Sequence, residues 1–110
     1  MNSIFFRISK LLLLAAAVFG FTVAPAHAQS GAAVYKAKCA MCHGMDGKGE
    51  TAVGKSLKLR DLGSPEVQKE TDDEMIAITA NGKGKMMGYK GKLTDAEIKD
   101  VVSYIRTFKK

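Results

Sequence analysis

Apolar and polar positions along the chain form a few helical stretches separated by glycine-rich segments. The clearest lies near the end, where Ile98, Val101, Val102, Ile105 and Phe108 recur at helical spacing. Thr94-Asp95-Ala96-Glu97 precedes it as a capping box, a hydroxyl followed three residues later by a carboxylate. A helix is therefore expected from Asp95 towards the basic terminus Lys109-Lys110, where cations suit the negative end of the helix dipole. Thr71-Asp72-Asp73-Glu74 repeats the box, with Met75, Ile76 and Ile78 on the buried side and Asn81-Gly82 as the stop. Ser64-Pro65-Glu66 places a proline where a helix can accept it, just after an N-cap, and predicts a short helix over 65–69. Ser30 reads as another N-cap, opening a helix over 31–42 with Val34, Ala37 and Met41 on one face and Tyr35 alongside.

Between these stretches the pattern fails. Residues 43–63 carry five glycines and no sustained period, which predicts a loop with one short turn near Lys55 to Leu59. "GKGKMMGYKGK" after the second box is basic, aperiodic and again a loop. No stretch alternates with a period of two, and no internal repeat is visible. The fold class is all-α, three to four short helices joined by long loops. Loops of that length inside a compact domain require something to pack against.

The N-terminus shortens the domain. Arg7 and Lys10 precede the apolar run "LLLLAAAVFGFTVA", which ends at Pro25, and Ala26-His27-Ala28 supplies a small-residue cleavage site. This is the form of a secretory signal peptide over residues 1–28, with the mature domain at 29–110. The apolar run is too short for a spanning helix, which wants ~20 residues, so no stable membrane insertion is expected after cleavage. Near the ~70–80 residues below which a core alone gives little stability, such a domain calls for a covalent or cofactor staple.

Charge changes the picture by its distribution. The chain carries a formal net charge of +6, and Arg7 and Lys10 of the leader account for part of it. Asp61, Glu66, Glu70, Asp72, Asp73 and Glu74 crowd one stretch, whereas Lys83, Lys85, Lys90 and Lys92 follow with no acid among them. One end of the domain should be negative and another positive. So modest a charge in an exported chain argues against nucleic-acid binding.

The chemistry concentrates in "CAMCH", residues 39–43. A disulfide between Cys39 and Cys42 would suit an oxidising compartment. It would close too small a loop to stabilise much and leaves His43 unexplained. A thioredoxin-type pair needs a βαβ setting that the pattern does not offer. Structural zinc needs four ligands, and residues 29–110 supply two cysteines and one histidine. Attachment of a c-type haem uses all three residues. The two thiols add to the vinyl groups, and His43 turns its imidazole onto the iron.

With no second mature histidine, the remaining soft donors for the sixth position are methionines. Met41 and Met45 sit too close to His43, and Met75 reads as helix core, which leaves Met86 and Met87 in the distal glycine loop. Two protein ligands would saturate the iron and leave one-electron transfer rather than catalysis. Lys83, Lys85, Lys90 and Lys92 around the distal loop, with Lys36, Lys38 and Lys48 around the attachment site, outline a positive rim.

Taken together, Gly31 and Tyr35, "CAMCHGMDGKG", "TDDEMIAITANGKGKM" and "LTDAEIKDVVSYIRTF" resemble, in that order, the small class I cytochromes c of bacterial periplasms and the cytochrome c6 group. The resemblance implies a class I cytochrome c fold wrapped around one covalent haem c, with the first and last helices crossing closely at Gly31. It implies thioethers at Cys39 and Cys42, His43 as proximal ligand and Met86 as distal ligand, Met87 standing where the family usually has proline. Such cytochromes commonly orient the proximal ring N–H with a proline carbonyl, and this chain has no proline between His43 and Ser64. The function implied is that of a soluble, monomeric periplasmic electron carrier, not an enzyme. Its partners would be transient and acidic-faced, a donor such as a quinol-oxidising complex and an acceptor such as a terminal oxidase or reductase. Two other readings remain at this stage: a haem enzyme or sensor with a labile distal methionine, and a cytochrome subunit of a larger oxidoreductase.

Overall fold

The computed structural model describes Gly20 and residues 26–110, so the apolar leader lies outside the described residues. Six helices follow in order: α1 Ala26–Lys38, α2 Ala40–His43, α3 Ala52–Leu57, α4 Pro65–Gln68, α5 Asp72–Asn81 and α6 Asp95–Arg106. Among the described residues there are no strands, only isolated bridges at Lys83–Met86 and Lys90–Leu93. No helix among them is long and apolar enough to cross a membrane. The all-α class holds, with more helices than the three to four expected.

The capped helices form where the sequence places them. Thr71 and Thr94 each accept a hydrogen bond from the amide three residues on, and Glu74 and Glu97 bond back to the cap amides, so both boxes close. Ser64 caps α4 with Pro65 in its first turn. Gly82 ends α5 in the left-handed half of backbone space, φ 80°. The third helix, α3, replaces the expected turn near Lys55–Leu59 and starts earlier because the Thr51 hydroxyl caps it by accepting from Gly54 N–H.

The first helix departs from expectation. Among the described residues it spans Ala26–Lys38, so Ser30 lies inside it rather than capping it. Ala26 and Ala28 are strong helix formers, and His27 Nδ1 donates to the Asp100 carboxylate on α6 at 2.7 Å. At Cys39 the chain turns, and α2 runs separately to His43. Met41 is not on a buried face after all: it is 81% exposed. The C-terminal helix stops at Arg106, and Phe108 folds back beyond it.

α1 and α6 form the main packed pair, with α5 also against α6. Tyr35 of α1 meets Tyr104 of α6 and Phe108, each pair of ring centroids 5.2 Å apart. Such tilted and edge-on pairs add ~0.5–1.5 kcal/mol each beyond the area they bury. Val67, Met75 and Val102 form a second buried cluster, with Leu62, Ile76 and Ile105 packed around it. Arg106 fastens this region by donating to the carbonyls of Gln68 and Glu70 and to the Asp72 carboxylate. The fold thus builds two apolar walls, one from the α1–α6 crossing and one from α4 and α5.

Candidate functional site

A cleft of about 250 Å³ opens between these walls, with an overwhelmingly apolar lining. Tyr35 and Cys39 come to it from α1 and its end, His43 from the end of α2, Met75 and Ile78 from α5, and Val101 and Ile105 from α6. Lys58, Arg60, Glu70 and Lys83 bring charge to the same lining. Arg60 is paired there, its guanidinium 3.0 Å from Glu70 and 3.7 Å from Glu66.

Cys39 and Cys42 are both free and half-buried. Cys39 faces the cleft, and burial first, then the neighbouring Cys42, pushes its thiol up to about 11, so it stays protonated at neutral pH. Cys42 is not part of the lining; its carbonyl accepts from the Thr51 hydroxyl at 2.7 Å.

His43 closes α2 and faces the cleft, where burial holds its imidazole below the ordinary histidine value and keeps it neutral at neutral pH. Its Nδ1 is buried with no hydrogen-bond partner among the described residues. None of these residues supplies an acceptor in place of the proline carbonyl.

The distal loop separates the two methionines that the residue pattern left open. Met86 turns into the cleft, whereas Met87 is 56% exposed, its sulfur 3.6 Å from the Lys92 ammonium. The Met86 main chain is held by a reciprocal pair of hydrogen bonds with Lys83, 3.1 and 3.0 Å. The same loop, expected to lack organisation, is tied at both sides. Tyr89 and Lys90 amides donate to Thr79 and Ala80 carbonyls at the end of α5, and the Tyr89 hydroxyl donates to the Lys38 carbonyl at 3.0 Å. Cys39, His43 and Met86 thus converge on one apolar cleft.

Sequence reasoning missed three residues here. The helical spacing places Tyr35 beside an apolar face and says nothing of its hydroxyl, which donates to the Gly44 carbonyl at 2.7 Å. Thr51 lacks the acidic partner that marked the other two caps, and Tyr89 sits in an aperiodic stretch. Periodicity and capping boxes carry no information on where these three hydroxyls go.

The family model described as "Cytochrome C oxidase, cbb3-type, subunit III" matches residues 26–105. The cytochrome c6 of Limnospira maxima is 38% identical over 80 residues, which is 69% of this chain and 86% of that protein. The cytochrome c6 of Nostoc sp. (strain PCC 7120) is 34% identical over 103 residues, 90% of each chain. Among solved structures, the "KustC0563 c-type cytochrome" superposes with a TM-score of 0.68 at 38% identity, covering 73% of this chain and 98% of that one.

Proposed function

The chain belongs to the c-type cytochrome family as a small electron carrier with one covalently bound haem c, and from that premise we propose an exported, periplasmic carrier whose iron is held by His43 and Met86. The convergence of Cys39, His43 and Met86 on one apolar cleft carries this reading.

The residues fit the group. Cys39 and Cys42 are unpaired thiols at thioether spacing, and His43 is a buried neutral imidazole with a lone pair to give. The lining suits a flat apolar ring, and Met86 adds a thioether from a separate segment. When bound, the haem supplies a one-electron ferric/ferrous couple. The thioether of Met86 favours the ferrous state over harder donors, and the apolar walls disfavour extra charge, so both push the potential up. Tyr35, Val101 and Ile105 line the cleft with apolar surface that would keep water from a bound ring, and the tethers at Thr79, Ala80 and Lys38 hold the Met86 loop in place. A loop so held supports stable ligation over the labile-methionine enzyme or sensor.

Cleavage after Ala28 would remove the first turn of α1 and the His27–Asp100 bond, leaving Gly31 and Tyr35 in place. The lysines of the distal loop, with Lys36 and Lys38, would then steer acidic-faced donors and acceptors of a respiratory chain to the cleft. The description of the matching family favours a second reading, a cytochrome subunit of a larger oxidoreductase. Isolation of the native protein separates the two, since a free carrier elutes alone from a detergent extract.

The test is the optical spectrum of the protein matured in a host with haem-attachment machinery, beside Met86→Ala and Met87→Ala. A covalent low-spin haem with the weak far-red band of methionine ligation, lost in Met86→Ala alone, supports the proposal. A five-coordinate wild type, or loss only in Met87→Ala, overturns the ligand assignment.

A further inference from the structure

The three carbonyls of Cys42, His43 and Gly44 are consecutive, and each accepts a hydrogen bond from a different part of the chain. The Thr51 hydroxyl bonds Cys42, the Gly49 amide bonds His43 and the Tyr35 hydroxyl bonds Gly44, all at 2.7 Å. By contrast, the ring of His43 has no partner at its buried Nδ1 among the described residues. Those residues do not supply the usual device for orienting a metal-ligating histidine, an acceptor on the second ring nitrogen, while the main chain on both sides of the residue is fixed.

We propose that Tyr35 and Thr51 are the positioning residues of His43, setting its orientation through the main chain instead of through the ring. This rests on His43 serving as the axial ligand.

Tyr35 is suited to the role. It is fully buried, and its ring is wedged against Tyr104 and Phe108, so its hydroxyl is fixed relative to the α1–α6 crossing. Burial, and secondarily the Cys39 thiol, hold the phenol well above its ordinary range, so it remains a donor throughout the working pH range. Gly44 is itself buried, and its carbonyl accepts from the phenol at 2.7 Å and, more loosely, from the Gly47 amide at 3.1 Å, so the phenol supplies the shorter of its two bonds and the only one from α1. Packing alone would be met equally well by phenylalanine at this position, so the hydroxyl adds something that the core does not require. Thr51 does two things with one oxygen: it accepts from Gly54 N–H to cap α3 and donates to the Cys42 carbonyl. The α3 cap and the attachment turn are thereby joined.

The experiment uses the haem-loaded protein and the variants Tyr35→Phe, Thr51→Val, Thr51→Ser and, as a control in the same aromatic cluster, Tyr104→Phe. Electron paramagnetic resonance of the ferric form reads the axial-ligand geometry, voltammetry reads the potential and thermal melting reads stability. Tyr35→Phe and Thr51→Val are expected to shift both the g-values and the potential. Thr51→Ser, which keeps donor and acceptor, should return both to wild type, and Tyr104→Phe should leave them unmoved. If Tyr35→Phe and Thr51→Val lower only the melting temperature, with wild-type g-values and potential, the two residues are structural and the inference fails. Tyr35→Phe keeps the ring and gives a folded readout even where Thr51→Val does not. Failure of the underlying ligand assignment looks different: wild type itself would lack a low-spin, histidine-ligated signal.

Discussion

Gly31 of α1 lies directly against the main-chain carbonyl of Asp100 in α6, so that a Cβ at position 31 would strike that oxygen and crowd Tyr104 Cβ, 2.9 Å away. The colliding atoms are backbone and the root of a side chain, which cannot swing aside. Gly31→Ala should therefore destabilise the protein by about 1–3 kcal/mol through overpacking. This is the reverse of the ~1 kcal/mol gain that alanine gives in an open helix. Thermal melting of the haem-loaded variant checks it, with a drop of ~4–8 °C per kcal/mol for a domain this small. A rise in melting temperature would mean that α1 and α6 do not cross at Gly31.

Met86 and Met87 differ in surroundings as neighbours seldom do, one facing the cleft and one 56% exposed. Met86→Ala should lower the reduction potential and allow an external ligand such as imidazole to bind the ferric form. Met87→Ala should change neither, because its sulfur faces the Lys92 ammonium. Imidazole titration followed by absorbance distinguishes them, and equal affinities in the two variants would refute the assignment.

The features legible in the sequence were those written locally. Thr71, Glu74, Thr94 and Glu97 announce two helices within four residues each, and the attachment motif sits in five consecutive positions. That α1 runs back beyond Ser30 was not legible, because a bond that supports this stretch runs from His27 to Asp100, far along the chain. Met41 matched a helical face by spacing, but the turn at Cys39 ends that helix before it arrives. Likewise, the turning of Met86 rather than Met87 into the cleft goes with tethers to Thr79, Ala80 and Lys38 that no local pattern encodes. Local caps can be read from short range, whereas the direction a loop side chain takes depends on the elements that hold the loop.

Acid should remove one identifiable contribution to stability. The Asp61 carboxylate takes a hydrogen bond from the Lys110 ammonium and another from Gly63 N–H, and these, the lysine first, hold it below the ordinary carboxylate value. A depressed folded-state value means the contribution is fully present above the unfolded value of ~3.9 and is lost as pH falls through the folded one. The ion pair is partly exposed, with side-chain accessibilities of 58% and 28%, so it contributes no more than about 1 kcal/mol. Lys110→Met should therefore melt slightly below wild type at pH 7, and the gap should close as pH falls below the ordinary carboxylate range. A gap that widens on acidification would reverse the sign and exclude this pair as its cause.

The lysines of the distal loop are exposed, and Lys83 also reaches the cleft lining. If they steer partners, they should also steer small redox ions, whose charge is known. Electron exchange with anionic hexacyanoferrate should slow as salt is raised, since at 0.1 M ionic strength attraction beyond ~10 Å is largely screened. A cationic cobalt complex should show the opposite slope. Replacing Lys83, Lys85, Lys90 and Lys92 by glutamate should cut the hexacyanoferrate rate at low salt by about tenfold and flatten its salt dependence. Lys55→Glu and Lys69→Glu, lysines outside the proposed rim, control for net charge. If they slow the reaction as much per charge changed, the rate follows overall charge and the distal loop is not the route of approach.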